Sequence, residues 1–399
     1  MRAILCVVMG VPSVTGPGPE AFAPPEKNAG EIPGGCCKPV LAIVRGQLAA
    51  LQPKLPRETS TPPEIWLMSH PPVSGMLKPS VAYALLGPSS QLRVTGVDAV
   101  GFIENFTTNK VGDLAVGGGC DSFFCDARGA VLDLALVRRT EDGLLIDVGP
   151  DRAATLRSHL DRYHIREQLV LTDVSGSVTG LALIGAEAEA WLRTHADQPP
   201  LTGSYQFGDC HLRVGSAPSE SVPARVTAID WYGPRSFLLE VAAAEVNRLI
   251  HGCEDAGVPQ LPVAAVTSLR LQQSWPAVAD IPEKTLPQEL GLDARALCFT
   301  KGCYLGQETV ARLDALGHVN RSLVVLAVTG DEPVLEGAVV AVGGEPVAAV
   351  TSAAPAGAQQ GWLAMAIVPL KALQHPDGPT VADRPARTRP TASPPEPKP

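Results

Sequence analysis

The densest run of chemically capable side chains is Phe299-Thr300-Lys301-Gly302-Cys303-Tyr304-Leu305-Gly306-Gln307-Glu308-Thr309-Val310-Ala311-Arg312. The pattern predicts a short strand ending at Thr300 and a tight turn bracketed by Gly302 and Gly306. A helix then runs from about Leu305 to Leu316 and stops at Gly317. Cys303 falls at or just before a helix N-terminus, two residues from Lys301. A helix dipole and a nearby ammonium both favour thiolate over thiol. Cys303 is therefore the candidate reactive centre, with Lys301 as the group that keeps it ionised. Backbone N–H groups freed at the turn would also suit an anion. The plainer reading of the same residues is a small buried cysteine in a strand-to-helix corner.

Other clusters carry less. Cys120-x4-Cys125 and Cys298-x4-Cys303 share a spacing, and four thiolates can hold an iron–sulfur cluster. Among nine scattered cysteines that match is also an ordinary coincidence. His159 and His164 lie five apart near a helix end, and His318 follows Gly317. None of them makes a zinc pair. Asp126 sits at a hairpin corner, where Asp is favoured for turn reasons alone; a ligand contact is its second reading. Gly117-Gly118-Gly119 lacks the Lys-Ser/Thr that a phosphate loop needs after it. Arg138-Arg139 reads as a solvated strand end, with a local anion contact as the alternative.

These residues need elements to position them. Regular texture begins at Tyr83. Leu92–Thr95 reads as a strand, and Asp98 then caps a short helix over Ala99–Phe106. A strand through Phe123–Cys125 turns at Arg128-Gly129 and returns through Val137. Leu144–Val148 is another strand, and Pro150 opens a helix to about Tyr163 with Leu156 and Leu160 at i, i+4. Strand Val178–Ile184 leads to helix Ala186–His195. Strand Phe237–Val241 leads to helix Ala243–Ala256, stopped by Gly257. After Arg321 the chain reads as all β: Leu323–Val328, Val339–Val342, Val347–Thr351 and Trp362–Val368, with Gly343-Gly344 as a hairpin turn. Strands mixed with helices give an α+β class. The final strands are best closed as a small barrel.

Composition bounds the rest. The 399 residues allow two or three domains, and 45% apolar residues can build a sizeable core. The formal charge of −9 argues against a general basic surface for nucleic acid. No apolar run approaches the roughly 18 residues that span a bilayer. An odd number of scattered cysteines fits a reduced, cytoplasmic setting better than a disulfide framework. The apolar stretch Ala3–Met9 after Arg2 is short for a signal peptide, and no small-residue cleavage site clearly follows it. Glu20, Glu26 and Glu31 fit a transit peptide poorly. Residues 1–80 hold 14 Pro and 8 Gly and read as a disordered extension, with one local helix at Val40–Leu51. Residues 386–399 read as a disordered tail.

Lys301-Gly302-Cys303-Tyr304-x-Gly306-Gln307-Glu308 resembles the signature of the YgfZ/GcvT family, which groups the glycine-cleavage T-protein with folate-binding proteins that maintain iron–sulfur enzymes. Val94-Thr95-Gly96-Val97-Asp98-Ala99 with Phe102 and Thr108-Asn109 resembles the family's opening block, and Cys125-Asp126-Ala127-Arg128-Gly129 its next one. Leu286-Pro287-Gln288-Glu289-Leu290-Gly291 leads into the signature, and Val350-Thr351-Ser352 falls among strands that resemble the family's final barrel. The likeness covers about residues 83 to 385.

The resemblance implies a GcvT-like three-lobed cloverleaf around a central folate channel. Residues 81–320 would form a core of two α+β lobes and residues 321–385 the C-terminal β-barrel. It implies tetrahydrofolate or a derivative as cofactor, with Asn109, Arg270, Gln272 and Tyr304 shaping the pocket and Cys303 facing it. Two departures set the branch. The T-protein carries an Asp after Thr-Asn, where this chain has Lys110, and it lacks the signature cysteine. A third concerns the pocket, where the usual Arg-x-Glu reads Arg270-Leu271-Gln272, leaving a neutral group for a pterin edge. The implied function is folate-dependent assembly or repair of iron–sulfur enzymes, including tRNA-modifying ones, through Cys303. The implied partners are folate and iron–sulfur client enzymes, with no direct nucleic acid or membrane partner. The rival readings are an aminomethyltransferase-like one-carbon transferase and a non-catalytic folate-sensing scaffold. Lys110 weighs against a functional glycine-cleavage aminomethyltransferase.

Overall fold

The computed structural model describes residues 79–389, apart from 199–200, 202, 216–219, 318 and 358–359. The expectations for residues 1–78, including the helix at Val40–Leu51, lie outside the described residues, as do those for His318 and for residues 390–399. Along the chain run β1 (Ala82–Pro88), β2 (Gln91–Thr95), α1 (Ala99–Glu104), β3 (Gly119–Cys125), β4 (Val131–Thr140) and β5 (Gly143–Asp147). Then come α2 (Ala153–Asp161), β6 (Val170–Asp173), β7 (Val178–Ile184), α3 (Ala188–His195), β8 (Phe207–Arg213), β9 (Ser221–Ile229), β10 (Ser236–Ala242) and α4 (Val246–Asp255). A linking segment holds α5 (Val263–Gln272), α6 (Asp293–Ala296) and α7 (Gln307–Leu316). The closing elements are β11 (Arg321–Val328), β12 (Val339–Val342), β13 (Glu345–Ala349), β14 (Ser352–Pro355), β15 (Trp362–Pro369), the single turn α8 (Leu370–Leu373), β16 (Pro379–Val381) and β17 (Arg384–Thr388).

The first two sheets are matched. One has the strand order β3-β4-β5-β2-β6, the other β8-β9-β10-β7-β1, and every pairing is antiparallel. β2 and β7 each run through a glycine into a helix, and each glycine lies against the backbone that enters the sheet's edge strand. A Cβ on Gly96 would sit 2.3 Å from Gln168 O, and one on Gly185 2.4 Å from Ser80 O. After each helix a single bridge returns the chain to the far edge: Thr107 to Phe124 in one sheet, Ala196 to Leu212 in the other. The registers match as well. Gln91 pairs Asp147, which pairs Leu136; Gly180 pairs Glu240, which pairs Arg225. Asp147 and Glu240 are therefore equivalent positions of an internal duplication.

Each sheet buries one apolar layer under its helices. Leu92, Val94, Phe102, Ile103, Leu144, Ile146, Leu156 and Leu160 form the first. Leu181, Leu183, Trp191, Leu192, Phe237, Leu239 and Leu249 form the second. A third cluster ties the β3–β4 hairpin to the linking segment and the last sheet through Phe123, Leu271, Trp275, Val310, Leu323 and Met365. Removing any of these side chains would cost about 2–5 kcal/mol.

The last sheet has the order β13-β12-β16-β17-β11-β15-β14. The closed barrel expected from the sequence is a half-open one, because the edges β13 and β14 do not pair with each other. The corner between them carries the near-closure: Val350 N donates to Ala338 O and Thr351 N to Met365 O. β17 takes the sheet to Thr388, past the expected boundary at 385. Its Ala386, Arg387 and Thr388 pair with β11, which absorbs a Pro-rich segment that composition alone reads as tail.

Candidate functional site

The signature loop differs from its sequence expectation at both ends. Residues 297–300 form no strand; Cys298 N donates to Thr108 O at 2.9 Å in the α1–β3 connection, and Leu297 packs with Phe123 of β3. α7 begins at Gln307 with Gly306 as its N-cap, so Cys303 stands ahead of the helix and not on its first turn. Gly306 has φ +82°, and a Cβ there would lie 2.5 Å from Asp126 O. A Cβ on Gly129 would lie 3.0 Å from Gly306 O. The two glycines thus press the signature loop against the Asp126–Ala130 turn. Asp126 is occupied in that turn, its Oδ1 accepting from Arg128 N at 2.8 Å and Ala130 N at 2.9 Å.

Lys301 is the second fastener. Its side chain is fully buried, and Nζ donates to Glu104 O at 2.8 Å, Thr107 O at 2.6 Å and Asn109 O at 2.8 Å. Glu104 Oε1 lies 3.2 Å away, and the ammonium sits 5.4 Å from the Tyr304 ring centroid. Burial pulls the Lys301 pKa below the ordinary lysine value, with Glu104 opposing. The thiols whose charge would act on it are those of Cys120 and Cys298. The ammonium therefore binds the α1–β3 connection to the signature loop; the expected pairing with Cys303 is not what its contacts show. Asn109 is built into the same joint, its Nδ2 donating to Asp121 O at 2.9 Å and Arg295 O at 2.8 Å. Tyr304 is half-buried, and burial pushes its hydroxyl pKa up. Cys303 itself is exposed. Lys110 is exposed too, 2.5 Å from Asp113 Oδ2, whose hydrogen bond raises its pKa.

The structure brings Asn109, Lys301, Cys303 and Tyr304 into one region but separates Arg270 and Gln272 from it and from each other. Arg270 lines a cavity of about 310 Å³ between the two matched sheets and the linking segment, together with Asp133, Asp147, Trp231, Glu240 and Trp275. Its guanidinium donates to Trp275 O and Asp280 Oδ2, both at 2.7 Å, and to Ser352 Oγ at 2.8 Å, so it also anchors the last sheet. Gln272 faces a different cavity of about 430 Å³, beside Tyr232, Leu261 and Gly357, and donates to Ser268 Oγ at 3.2 Å. Cys303 is not among the residues lining the cavity that holds Arg270.

Sequence reasoning missed the cavity's own furniture. Trp231 and Trp275 stack with centroids 5.4 Å apart and planes 14° apart, and Arg295 lies 4.6 Å over Trp275. Arg295 also joins Asp121, Tyr205 and Asp230 in one buried network, where burial raises Asp121 to about 6 against the pull of Arg295. Arg138, expected at a solvated strand end, is fully buried between Asp147 and Glu240. The available signal was Glu240 inside the otherwise apolar Ser236–Ala242, since a lone charge in a buried strand demands a partner.

A flat aromatic wall, a guanidinium and carboxylates in a cavity of this volume suit a planar, donor-rich small molecule. The family follows from sequence. Residues 84–298 match the GCVT N-terminal domain, and the chain belongs to that family. It is 28% identical over 214 residues to a tRNA-modifying protein YgfZ of Colwellia psychrerythraea, covering 52% of this chain and 60% of that protein. It is 26% identical over 283 residues to an iron–sulfur cluster assembly factor IBA57 homolog, mitochondrial, of Aspergillus oryzae, covering 65% of this chain and 60% of that protein. The matches thus span about 60% of the length of these curated relatives. The fold resembles the crystal structure of the glycine cleavage system aminomethyltransferase T from Bartonella henselae, with a TM-score of 0.65 at 19% identity over 77% of this chain and 84% of that one. Among the described residues no helix is long and apolar enough to cross a membrane.

Proposed function

We propose that this protein binds a reduced folate between its two matched sheets and acts, through the thiol of Cys303, in the assembly or repair of iron–sulfur enzymes, including tRNA-modifying ones. The carrying observation is the loop geometry. Lys301 and the Gly129–Gly306 contact fix residues 301–306, and the thiol they hold is exposed. A thiol that serves chemistry confined to a cavity would line it; one that exchanges with a docked client protein has to be presented at the surface. The relatives named YgfZ and IBA57 support the same reading. Cys125, Cys210, Cys253, Cys298 and Cys303 are free thiols, which suits a reducing, cytoplasmic setting.

The chemistry of the cavity lining supports the folate reading. Trp231 offers an aromatic face, and its buried indole N–H has no partner among the described residues and so is available to an acceptor. Arg270 and Trp275 would hold the rest of the ring system in place. When bound, a reduced folate would supply a one-carbon carrier and an oxidisable ring. At the position where the T-protein pattern has a carboxylate, this chain has the cation Lys110, paired with Asp113, in place of the group that would handle a proton. Titration with tetrahydrofolate should give saturable binding, and a loaded lipoyl carrier should give no aminomethyl transfer above background. Turnover with Lys110 intact would overturn this reading in favour of an aminomethyltransferase-like enzyme.

A further inference from the structure

One carboxylate is in surplus at the wall of the folate cavity. Arg138 from β4 and Asp147 from β5 meet Thr227 from β9 and Glu240 from β10 across the junction of the two matched sheets. The Arg138 guanidinium donates to Thr227 Oγ1 at 2.9 Å and grips both Glu240 oxygens, one of them at 3.0 Å. It also lies 2.6 Å from Asp147 Oδ2. Gln91 from β2 donates to Asp147 Oδ1 at 2.6 Å and to Glu240. The internal duplication places Asp147 and Glu240 at equivalent positions, but only one guanidinium serves the two. The other cations near this junction are matched already: Arg225 to Asp209 at 2.7 Å, Arg152 to Asp133 at 3.2 Å, and Arg270 to Asp280 at 2.7 Å.

Of the two carboxylates, Glu240 is the one held bidentately and its side chain is 4% exposed, whereas that of Asp147 is 16% exposed and borders the cavity. We propose that Asp147 is the specificity residue of this cavity, accepting hydrogen bonds from the amino and ring N–H donors on the pyrimidine edge of the bound pterin. The inference rests on the folate reading above and gives that edge a charged acceptor where Gln272, in the other cavity, provides none. A carboxylate oxygen has two acceptor sites, so the existing contacts to Arg138 and Gln91 leave capacity. The surplus charge is costly in the free protein. Burial and Glu240 push Asp147 up to about 6, against Arg138 and Gln91. A ligand that presents N–H donors favours the ionised form and must pull this value down. Binding at mildly acidic pH then releases protons.

Calorimetric titration of the full chain with tetrahydrofolate at pH 6, in two buffers of different ionisation enthalpy, reads this directly. Wild type should bind with a buffer-dependent heat that reports proton release. Asp147→Asn, which keeps the shape and leaves Arg138 and Glu240 as a neutral pair, should bind at least about 10-fold more weakly, or roughly 1.4 kcal/mol. It should also lose that dependence and melt no lower than wild type at pH 7.5. Should Asp147→Asn fail to fold, the wild-type heats alone decide the matter. Wild-type binding without proton release, or a folded Asp147→Asn that binds as tightly, overturns the role of Asp147 and leaves the folate reading standing. No binding by wild type at all overturns both.

Discussion

At the scale of single residues, Lys301 joins the signature loop to the α1–β3 connection. From spacing alone it belongs with Cys303, two residues away, as the cation that ionises the thiol. Its long stem instead carries the charge into the α1–β3 connection, where three carbonyls and Glu104 collect around it. Sequence distance does not report which way a four-carbon side chain points, so this role was illegible before folding. Lys301→Met keeps the bulk and removes the charge, leaving Glu104 and the carbonyls without their partner. Breaking a buried pair of this kind costs roughly 3–5 kcal/mol, and urea unfolding should show a loss of that order. The Cys303 alkylation rate of the folded variant should stay near that of wild type. A slowed alkylation with unchanged stability would restore Lys301 to the thiol.

At the scale of elements, the sequence was most legible where turn residues bounded an apolar run. Val178–Ile184 is the strand expected, and Gly343-Gly344 turns the β12–β13 hairpin with both residues at positive φ. β8 and β9 went unread because Asp209, His211 and Arg213 fill the exposed face of one and Pro223 interrupts the other. The alternation of buried Cys210 and Leu212 with exposed neighbours was the overlooked signal. α5 went unread because its apolar residues give no clear helical face; of its ten, only Ser268 and Leu271 are buried. The loop–hairpin clamp belongs to this scale as well. Gly306→Ala would put a methyl 2.5 Å from Asp126 O at a φ that alanine resists. It should lower stability by about 2 kcal/mol or more and raise the proteolytic susceptibility of residues 299–306. Unchanged stability and protection would mean that the two motifs are not clamped through this contact.

At the scale of the whole molecule, two matched sheets, a linking segment and a half-open barrel meet around shared buried charges. Arg138 and Gln91 reach Glu240 from far along the chain, whereas Arg138 with Asp147 and Arg270 with Asp280 are near neighbours in sequence whose pairing only the fold reveals. The family and the signature loop were legible because they are contiguous; the cavity was not, because it is assembled from distant strands. The two proposed activities draw on different residues, since the cavity is lined without Cys303 and the Cys303 thiol is exposed. The most direct test of the central claim is rescue of a strain lacking its own family member, scored by the activity of an iron–sulfur tRNA-modifying enzyme. Cys303→Ser is nearly isosteric at an exposed position, so it should melt within a few degrees of wild type and still bind folate, yet fail to rescue. Full rescue by Cys303→Ser, at wild-type protein levels, would contradict the account and leave a folate-sensing scaffold in its place.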